Sequence, residues 1–520
     1  MHDLEDRPVR EDSASSTASA VELEGTGSRR GLLASGIGMA AVLAGFARRS
    51  AAQGAQPAGP HARAARSLAG VPRFLVDRIT NGWSPATIEH AEALGYAAYL
   101  EEQLNPDAIA EDANLLAALA ALPTLTLTSK QLYDQYVAVN QTAVVVNELK
   151  TATILRGMYS TGQLRERMVE FWSDHFSVDH SDGQVQWLKT AEDRDVIRPN
   201  ALGNFHDLVR ADARSAAMLY YLDNYRNFAS APNENYAREL MELHTLGVGQ
   251  YTETDVRELA RILSGWQYRP QANAIHGAFF FNPAQHDNGA KTFLGVPFPA
   301  NGGEAEGLLA LDMLAAHPAT AEFVSRKLLR WLLTYNPPQP VVDSVARVFR
   351  NSGGDIPSVL RAIFDVDLVA AIPAASLPKL KRPFHYMCSL VRACAPTITQ
   401  PIRYVNELTT MGHRPFGWPA PNGYPESLEV WGQSVLPRWT FATRFVDGAI
   451  QGTSVNVSQL FGSTPKSALA QRANQILGGA LDPEDVAAVQ AYADSVVLLN
   501  DTLRRDVLEL SAQAPSFQYV

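Results

Sequence analysis

Apolar residues recur with helical spacing from Val71 almost to the end of the chain, and this pattern limits the fold more than any other feature. No linker rich in glycine, proline or serine divides this stretch, and no repeat at a solenoid period occurs in it. The period changes only at residues 267–269 and 278–281, which read as short strands around a polar turn. We therefore predict a mainly α protein in which residues 71–520 form one large multihelical domain with a small β-hairpin insertion near residues 266–295.

The composition excludes several classes of protein. The chain has 520 residues, of which 46% are hydrophobic and 19% charged, as in globular proteins that bury a large core. Its net charge of −10 argues against binding to nucleic acid or to an anionic membrane surface. The two cysteines, Cys388 and Cys394, are too few for a disulfide framework or a thiolate zinc site, so we expect two buried thiols.

The first 52 residues resemble a twin-arginine export signal. A polar, acidic stretch is followed by the pair Arg29 and Arg30 and then by residues 31–47, which carry no charge and are rich in alanine and glycine. These 17 residues are too few and too weakly apolar for a stable membrane span, and an uncleaved amphipathic anchor is the alternative. We expect a signal peptide at 1–52, a flexible leader at 53–70, and export by the twin-arginine translocase, which would make the protein periplasmic or secreted.

Several segments in the middle of the chain carry a resemblance to a bacterial family. They include Phe-Trp-Ser-Asp-His-Phe and Asn-Tyr-Ala-Arg-Glu-Leu-Met-Glu-Leu-His and lie at residues 164–168, 171–176, 202–205, 232–247, 264–266 and 286–295. With these motifs the chain resembles the family named domain of unknown function 1800, although Asp174 stands where that family usually has asparagine. The resemblance implies an exported protein that is often encoded beside a second exported protein, so we expect a co-exported protein partner. It implies no activity.

Motifs of the common enzyme classes are absent from the sequence. It has no phosphate-binding loop, no dinucleotide fingerprint, no His-Glu-x-x-His pair, no Gly-x-Ser-x-Gly elbow and no Cys-x-x-Cys. Nucleotide hydrolysis, haem attachment and standard serine hydrolysis therefore lack support. Candidate residues have to come from the chemistry of individual helices and loops.

The segment 234–246 is the most informative predicted helix. Asn235, Glu239 and Glu242 lie at positions i, i+4 and i+7, so they share one helix face. Two carboxylates one turn apart can bind a cation or acquire different pKa values for acid–base work. We predict Glu239 and Glu242 as catalytic residues and Asn235 and Arg238 as binding residues. The alternative is a solvated face on which Arg238 forms an ordinary ion pair with Glu242.

A histidine lies within an apolar and aromatic stripe of another predicted helix. His175 is one turn from Trp172 in the helix that we expect to end at Phe176. A buried imidazole needs a partner for each ring nitrogen, so His175 is either a satisfied core histidine or a ligand or general base at the bottom of a pocket. We predict His175 as a metal ligand and Trp172 as a binding residue. His244 ends its own helix, where we expect it to cap the carbonyl end.

The loop after the aromatic hairpin brings three functional groups close together in sequence. We predict the imidazole of His286 and the carboxylate of Asp287 as catalytic groups and the ammonium of Lys291 as a binding group. The alternative is an Asx turn that Asp287 makes with the following Asn-Gly pair. Asp223, which closes a helix next to two tyrosines, is a further binding candidate and an equally good helix terminus.

These segments predict one polar pocket on a helical scaffold. Its walls would be the helix ending at Phe176, the helix 234–246 and the His286 loop, and His175, Glu239 and His286 could hold a divalent metal ion. We expect an exported hydrolase or other acid–base enzyme, metal-assisted or not, that acts on an extracytoplasmic polymer or glycan. The alternative is a non-catalytic binding or assembly protein that works with a co-exported partner.

Overall fold

The computed structural model describes residues 70–520. The predicted signal peptide and nearly all of the predicted leader lie outside the described residues. The helices that precede the hairpin region are, in chain order, α1 (Pro72–Ile79), α2 (Pro85–Leu94), α3 (Tyr96–Leu104), α4 (Ala113–Ala120), α5 (Ser129–Leu132), α6 (Thr142–Tyr159), α7 (Gln163–His175), α8 (Val185–Glu192), α9 (Arg198–Asn200), α10 (Phe205–Asp212), α11 (Ala216–Tyr221), α12 (Asn235–Glu239) and α13 (Glu253–Ile262).

The hairpin region holds four short strands, and helices resume after it. The strands are β1 (Trp266–Tyr268), β2 (Phe279–Phe281), β3 (Lys291–Phe293) and β4 (Val296–Phe298). They are followed by α14 (Glu304–Ala316), α15 (Pro318–Leu332), α16 (Gln339–Asn351), α17 (Ile356–Ile363), α18 (Val366–Ala370), α19 (Pro383–Cys394), β5 (Thr397–Ile398), α20 (Arg403–Thr410), α21 (Leu428–Gly432), α22 (Val435–Val446), β6 (Thr453–Ser454), α23 (Val457–Phe461), α24 (Leu469–Ile476), α25 (Pro483–Ser495) and α26 (Asp501–Gln513).

The predicted mainly α fold with a small β insertion is confirmed. β1 pairs antiparallel with β2, with Trp266 opposite Phe281, and β3 pairs antiparallel with β4, with Lys291 opposite Phe298. The insertion is thus two consecutive hairpins rather than one. None of the helices within residues 70–520 combines the length and the apolar character that crossing a bilayer requires.

Two large apolar clusters form the interior. The first runs from α1 through the hairpins to α18, and the second joins α19 to α26. Helix α6 contributes to both, because Val145 packs in the first cluster whereas Ile154 and Met158 pack in the second. The two thiols are buried as predicted, with Cys388 and Cys394 both free.

Within residues 70–520, three segments have π-helical hydrogen bonding, Tyr133–Val137, Asp193–Ile197 and Leu240–His244. The last of them corrects the helix that we predict over 234–246, which is α-helical only as far as Glu239. A π turn closes its hydrogen bonds one residue later than an α turn, so side chains after Leu240 rotate away from the positions that α-helical spacing assigns them.

Candidate active site

Helix α7 presents two chemically different faces. Its apolar stripe is buried in the first cluster, where the indole of Trp172 donates a hydrogen bond to the carbonyl of Ala201 at 3.1 Å. Glu166, Glu170 and Asp174 follow one another at four-residue intervals on the side away from Trp172. Three carboxylates therefore share one face of α7.

This face of α7 lines a cleft opposite the irregular loop 411–427, which connects α20 to α21. The cleft encloses about 530 Å³ of space between atoms, part of it open to solvent. Its lining residues come from α6, α7, α9, the start of α19 and the loop, and they are Thr153, Gly157, Glu166, Val169, Glu170, Ser173, Asp174, Arg198, Phe384, His413, Pro415, Phe416 and Tyr424. The cleft thus opens where helix α6 passes from the first apolar cluster to the second.

Close backbone packing and an aromatic cluster fix the loop against α7. Gly423 has a φ of +69°, and a Cβ there would overlap the backbone carbonyl of Asp174. The hydroxyl of Tyr424 donates to the carbonyl of Arg414 at 3.0 Å and accepts from its N–H at 2.9 Å. The Tyr424 ring also packs edge-on against His413, with ring centres 4.6 Å apart. The loop is therefore a rigid wall of the cleft.

Glu170 is the most perturbed carboxylate of this cleft. Its Oε2 accepts a hydrogen bond from Nη1 of Arg167 at 3.2 Å, and its Oε1 lies 3.8 Å from Nη1 of Arg382. That Oε1 has no hydrogen-bond partner among residues 70–520, and only 14% of the side chain is exposed. Burial raises the pKa of Glu170 to about 7, in spite of the two guanidinium groups, because the charged form loses its hydration.

Arg382 joins Glu170 to two further carboxylates. Its Nη1 donates to Asp174, its Nε donates to Oε1 of Glu426 at 3.2 Å, and its Nη2 donates to the carbonyl of Tyr424 at 3.2 Å. Burial raises the pKa of Asp174. Burial also acts to raise the pKa of Glu426, but Lys379, Arg382 and Arg167 outweigh it and hold that pKa below its ordinary value. One cation network thus surrounds neighbouring carboxylates whose pKa values are shifted in opposite directions, a pattern found in acid–base sites.

The family described as "protein of unknown function (DUF1800)" matches residues 74–519, which include α7, α19 and the whole of the loop 411–427. The chain belongs to this family. Comparison with curated proteins and with solved structures finds no match. Because the DUF1800 description carries no activity, the function has to be argued from the chemistry of the cleft.

The polar groups predicted on segment 234–246 lie on the surface of this DUF1800 protein and not in the cleft lining. Glu239 is half-buried. Burial, and to a smaller extent repulsion from Glu242, raises its pKa. Glu242 accepts a hydrogen bond from the hydroxyl of Tyr251 at 2.6 Å. The predicted ion pair between Arg238 and Glu242 is wrong, because Arg238 forms a two-point pair with Glu253 at 2.8 and 2.7 Å.

Asn235 and Asp223, two further predicted binding residues, have partners close to them in the sequence. The side-chain amide of Asn235, which is exposed, donates to the carbonyl of Leu222 at 3.3 Å. Asp223 has a φ of +58° just after α11, and its carboxylate lies 3.9 Å from Arg226 with 46% of the side chain exposed. Asp223 is therefore a helix-terminus residue, which is the alternative that the sequence offered. Neither Asn235 nor Asp223 lines the cleft.

The two buried histidines pack together in the first apolar cluster. Nε2 of His175 donates to the carbonyl of His244 at 3.0 Å, and the His175 ring packs against Phe171 and Phe176. Burial and the charge of Lys327 lower the pKa of His244 to about 3, so its ring is neutral. Neither ring nitrogen of His244 has a hydrogen-bond partner among residues 70–520, so the predicted capping of the helix end by His244 is wrong.

Polar contacts tie the loop 286–291 to α13, to α14 and to the segment between α13 and β1. Oε1 of Glu306 lies 2.9 Å from Nε2 of His286 and 2.6 Å from Nζ of Lys291, and all three side chains are at most 3% exposed. Nδ1 of His286 donates to the carbonyl of Ser264 at 2.8 Å. Asp287 accepts from Arg261 at 2.8 Å and also from the N–H of Gly289 at 2.8 Å, which is the Asx turn. These contacts hold the loop in place.

The structure does not bring the predicted metal ligands together. His175 bonds to the carbonyl of His244, whereas His286 lies against Ser264 and Glu306, and no hydrogen bond, ion pair or ring contact within residues 70–520 joins these histidines to each other or to Glu239. No group of three or more histidine, cysteine, aspartate or glutamate side chains within residues 70–520 could hold a metal ion. The prediction of Trp172 as a binding residue is also wrong, because its side chain is fully buried and its indole N–H is already bonded.

None of the site residues predicted from the sequence lines the cleft, and the prediction includes neither its carboxylates nor the arginines that pair with them. Arg167, Glu170 and Asp174 are a cation and two carboxylates inside the same helix whose apolar stripe draws attention to His175. The spacing of the two carboxylates, one turn apart, is the same signal that singles out Glu239 and Glu242. The run Lys-Leu-Lys-Arg that ends at Arg382, just before an apolar helix, is the other available signal.

Proposed function

We propose that this DUF1800 protein is a hydrolase-type acid–base enzyme and that the cleft between α7 and the loop 411–427 is its active site. One observation carries the proposal. Glu170 has a pKa near 7, one carboxylate oxygen without a hydrogen-bond partner in the described chain, and a position in the cleft lining. A carboxyl group with these properties can both give and take a proton near neutral pH, which is the requirement for general acid–base catalysis.

The neighbours of Glu170 supply the other functions of such a site. In a hydrolysis, Glu170 would give its proton to the leaving group while a second carboxylate takes a proton from the attacking water. Asp174, one turn further along α7, is the second carboxylate because it lines the same cleft and shares Arg382 with Glu170. Arg382 would hold the carboxyl groups of Glu170 and Asp174 in fixed positions relative to each other. The hydroxyl of Ser173, buried and without a partner in the described chain, is available to bind substrate.

The substrate class follows from the walls of the cleft. The rings of Phe384, Phe416 and Tyr424 line it together with the carboxylates. Aromatic faces beside paired carboxylates suit a sugar ring, which stacks its apolar C–H face and presents hydroxyl groups at its edge. We therefore propose a glycan or related polymer as substrate. Export by the twin-arginine route, to the periplasm or beyond, would place the enzyme where such polymers are found.

One observation favours the non-catalytic alternative, a protein that docks onto a co-exported partner. The connection between α25 and α26 presents three consecutive apolar side chains to solvent, with Val497 89%, Leu498 67% and Leu499 44% exposed. Contiguous exposed apolar residues are typical of interaction surfaces. A docking role for this connection would be compatible with an active cleft.

The test is hydrolysis of a panel of nitrophenyl glycosides by the wild type, Glu170→Gln and Glu101→Gln. Glu101 is an exposed glutamate that pairs with Arg361, so its variant controls for loss of a carboxylate elsewhere. We expect Glu170→Gln to lower the rate at least about a hundredfold and Glu101→Gln to leave it unchanged. An unchanged rate in Glu170→Gln would refute its role, and a wild type inert toward every glycoside would favour the docking alternative.

A further inference from the structure

A second cavity lies on the far side of Arg167 and Arg382 from the cleft. It holds about 310 Å³ of space between atoms, part of it open to solvent, and is bounded by α1, the end of α15 and the segment that leads into α19. Arg167 and Arg382 line it, and each also pairs with a carboxylate of the cleft, Arg167 with Glu170 and Arg382 with Asp174. The two guanidinium groups therefore separate the two spaces.

Four nitrogen atoms in the lining of this cavity have no hydrogen-bond partner anywhere in residues 70–520. They are Nε of Arg78, Nε of Arg167, Nε1 of Trp331 and Nε2 of His385. The four residues are between 2% and 5% exposed, so bulk water does not satisfy these groups. Native proteins leave very few buried polar groups unpaired, and several around one cavity indicate an occupant that accepts hydrogen bonds.

The charges of the lining give the sign of that occupant. The lining carries the guanidinium groups of Arg78, Arg167 and Arg382 and the amino group of Lys379, together with the side-chain carboxylates of Asp77 and Glu426. Burial together with Arg78, Arg167 and Arg382 lowers the pKa of Lys379 to about 7, although Glu426 acts in the opposite direction. The three guanidinium groups outnumber the two side-chain carboxylates of the lining, which favours an anion over a cation as the occupant.

We propose that this cavity binds a small monovalent inorganic anion of the size of chloride. Trp331 packs under both guanidinium groups, with the central carbons of Arg167 and Arg382 at 4.3 and 4.4 Å from its ring centre. The indole and the two guanidinium groups are therefore close neighbours in the lining, which suits a small ion rather than an extended ligand. An anion here would accept hydrogen bonds from the unpaired donors and hold Arg167 and Arg382 against the carboxylates of the cleft. The binding site does not depend on the proposed hydrolase activity.

The first test is thermal unfolding of the purified full chain in sodium gluconate, titrated with sodium chloride at constant ionic strength. We expect a melting temperature that rises with chloride and saturates. Trp331→Phe removes one donor to the ion and should raise the half-saturating chloride concentration about tenfold, as expected for one hydrogen bond to a charged group. Trp431→Phe is the matched control, because Trp431 is buried, has an unpaired Nε1 and packs on Arg382 but does not line the cavity.

The second test keeps the proposal decidable if Trp331→Phe fails to fold. Crystals of the wild type grown in bromide should show an anomalous bromide peak within hydrogen-bond distance of Nε1 of Trp331 and Nε of Arg167. Ordered water alone at that position, or a melting temperature that is the same in gluconate and chloride, would overturn the proposal. An equal effect of chloride on wild type and Trp331→Phe would overturn the assignment of this cavity.

Discussion

Replacement of Glu170 by glutamine should change how the stability of the protein depends on pH. The pKa of Glu170 is raised from 4.5 to about 7 in the folded state, chiefly by burial. The folded protein therefore binds this proton more tightly than the unfolded chain does. The resulting stabilisation is fully present below pH 4.5 and is lost as the pH rises through 7. Since each pKa unit is worth about 1.4 kcal/mol, Glu170 contributes on the order of 3 kcal/mol across this window.

The assay is urea unfolding of the wild type and Glu170→Gln between pH 4.5 and 8, followed by circular dichroism. Glutamine keeps an oxygen that can accept from Arg167 but does not titrate. We therefore expect the unfolding free energy of the wild type, relative to the variant, to fall by roughly 3 kcal/mol from the acid to the alkaline end. Other titrating groups are present in both proteins and cancel in the difference.

The control for this experiment is Glu101→Gln. The hydrogen bond from Arg361 lowers the pKa of Glu101, so the carboxylate is ionised throughout the range from pH 5 to 8. The difference between the wild type and this control should stay constant over that range. A difference between wild type and Glu170→Gln that is equally flat would refute the reasoning, because it would mean that Glu170 is ionised at the same pH in the folded and unfolded states.

Three further predictions concern the loop, the core and the export signal. In calorimetry, Gly423→Ala should lower the melting temperature clearly more than Gly412→Ala does. Both glycines have positive φ, but only at Gly423 would a Cβ overlap α7. Equal losses of melting temperature would contradict the close packing. Trp172→Ala should lower the unfolding free energy by roughly 3–5 kcal/mol in urea, since its side chain is fully buried, and wild-type stability would contradict a core position. Replacement of Arg29 and Arg30 together by lysine should retain the precursor in the cytoplasm on cell fractionation, whereas normal export would exclude the twin-arginine route.

The sequence was sufficient for the fold class because apolar periodicity decides which helix faces are buried. The stripe of α7, with Trp172 fully buried, is an example. The same argument failed at Leu240–His244, where the chain adopts a π turn that no apolar pattern encodes. It also failed for Arg238, because its partner Glu253 belongs to the next helix and tertiary packing decides which of several carboxylates an arginine reaches.

The cleft could not be predicted from the sequence, for a related reason. Asp174 and Arg382 are 208 residues apart, and Glu426 lies a further 44 residues along. Only the packing of α7, α19 and the loop 411–427 brings them together, and burial then sets the pKa of Glu170. Glu239 and Glu242 are likewise two carboxylates about one helical turn apart, separated by three residues where Glu170 and Asp174 are separated by four. The surrounding structure distinguishes the two pairs. Glu170 and Asp174 lie in a cleft beside Arg382, whereas Glu239 and Glu242 lie on the surface.

The proton on Glu170 can be observed directly by infrared difference spectroscopy. The absorption of its protonated carboxyl group is the band present in the wild type and missing in Glu170→Gln at each pH. We predict that this band disappears with a midpoint near pH 7, as expected for a buried carboxyl group poised for proton transfer at the cleft. A midpoint near pH 4.5, the ordinary value for glutamate, would contradict the assignment of Glu170 as the acid–base group.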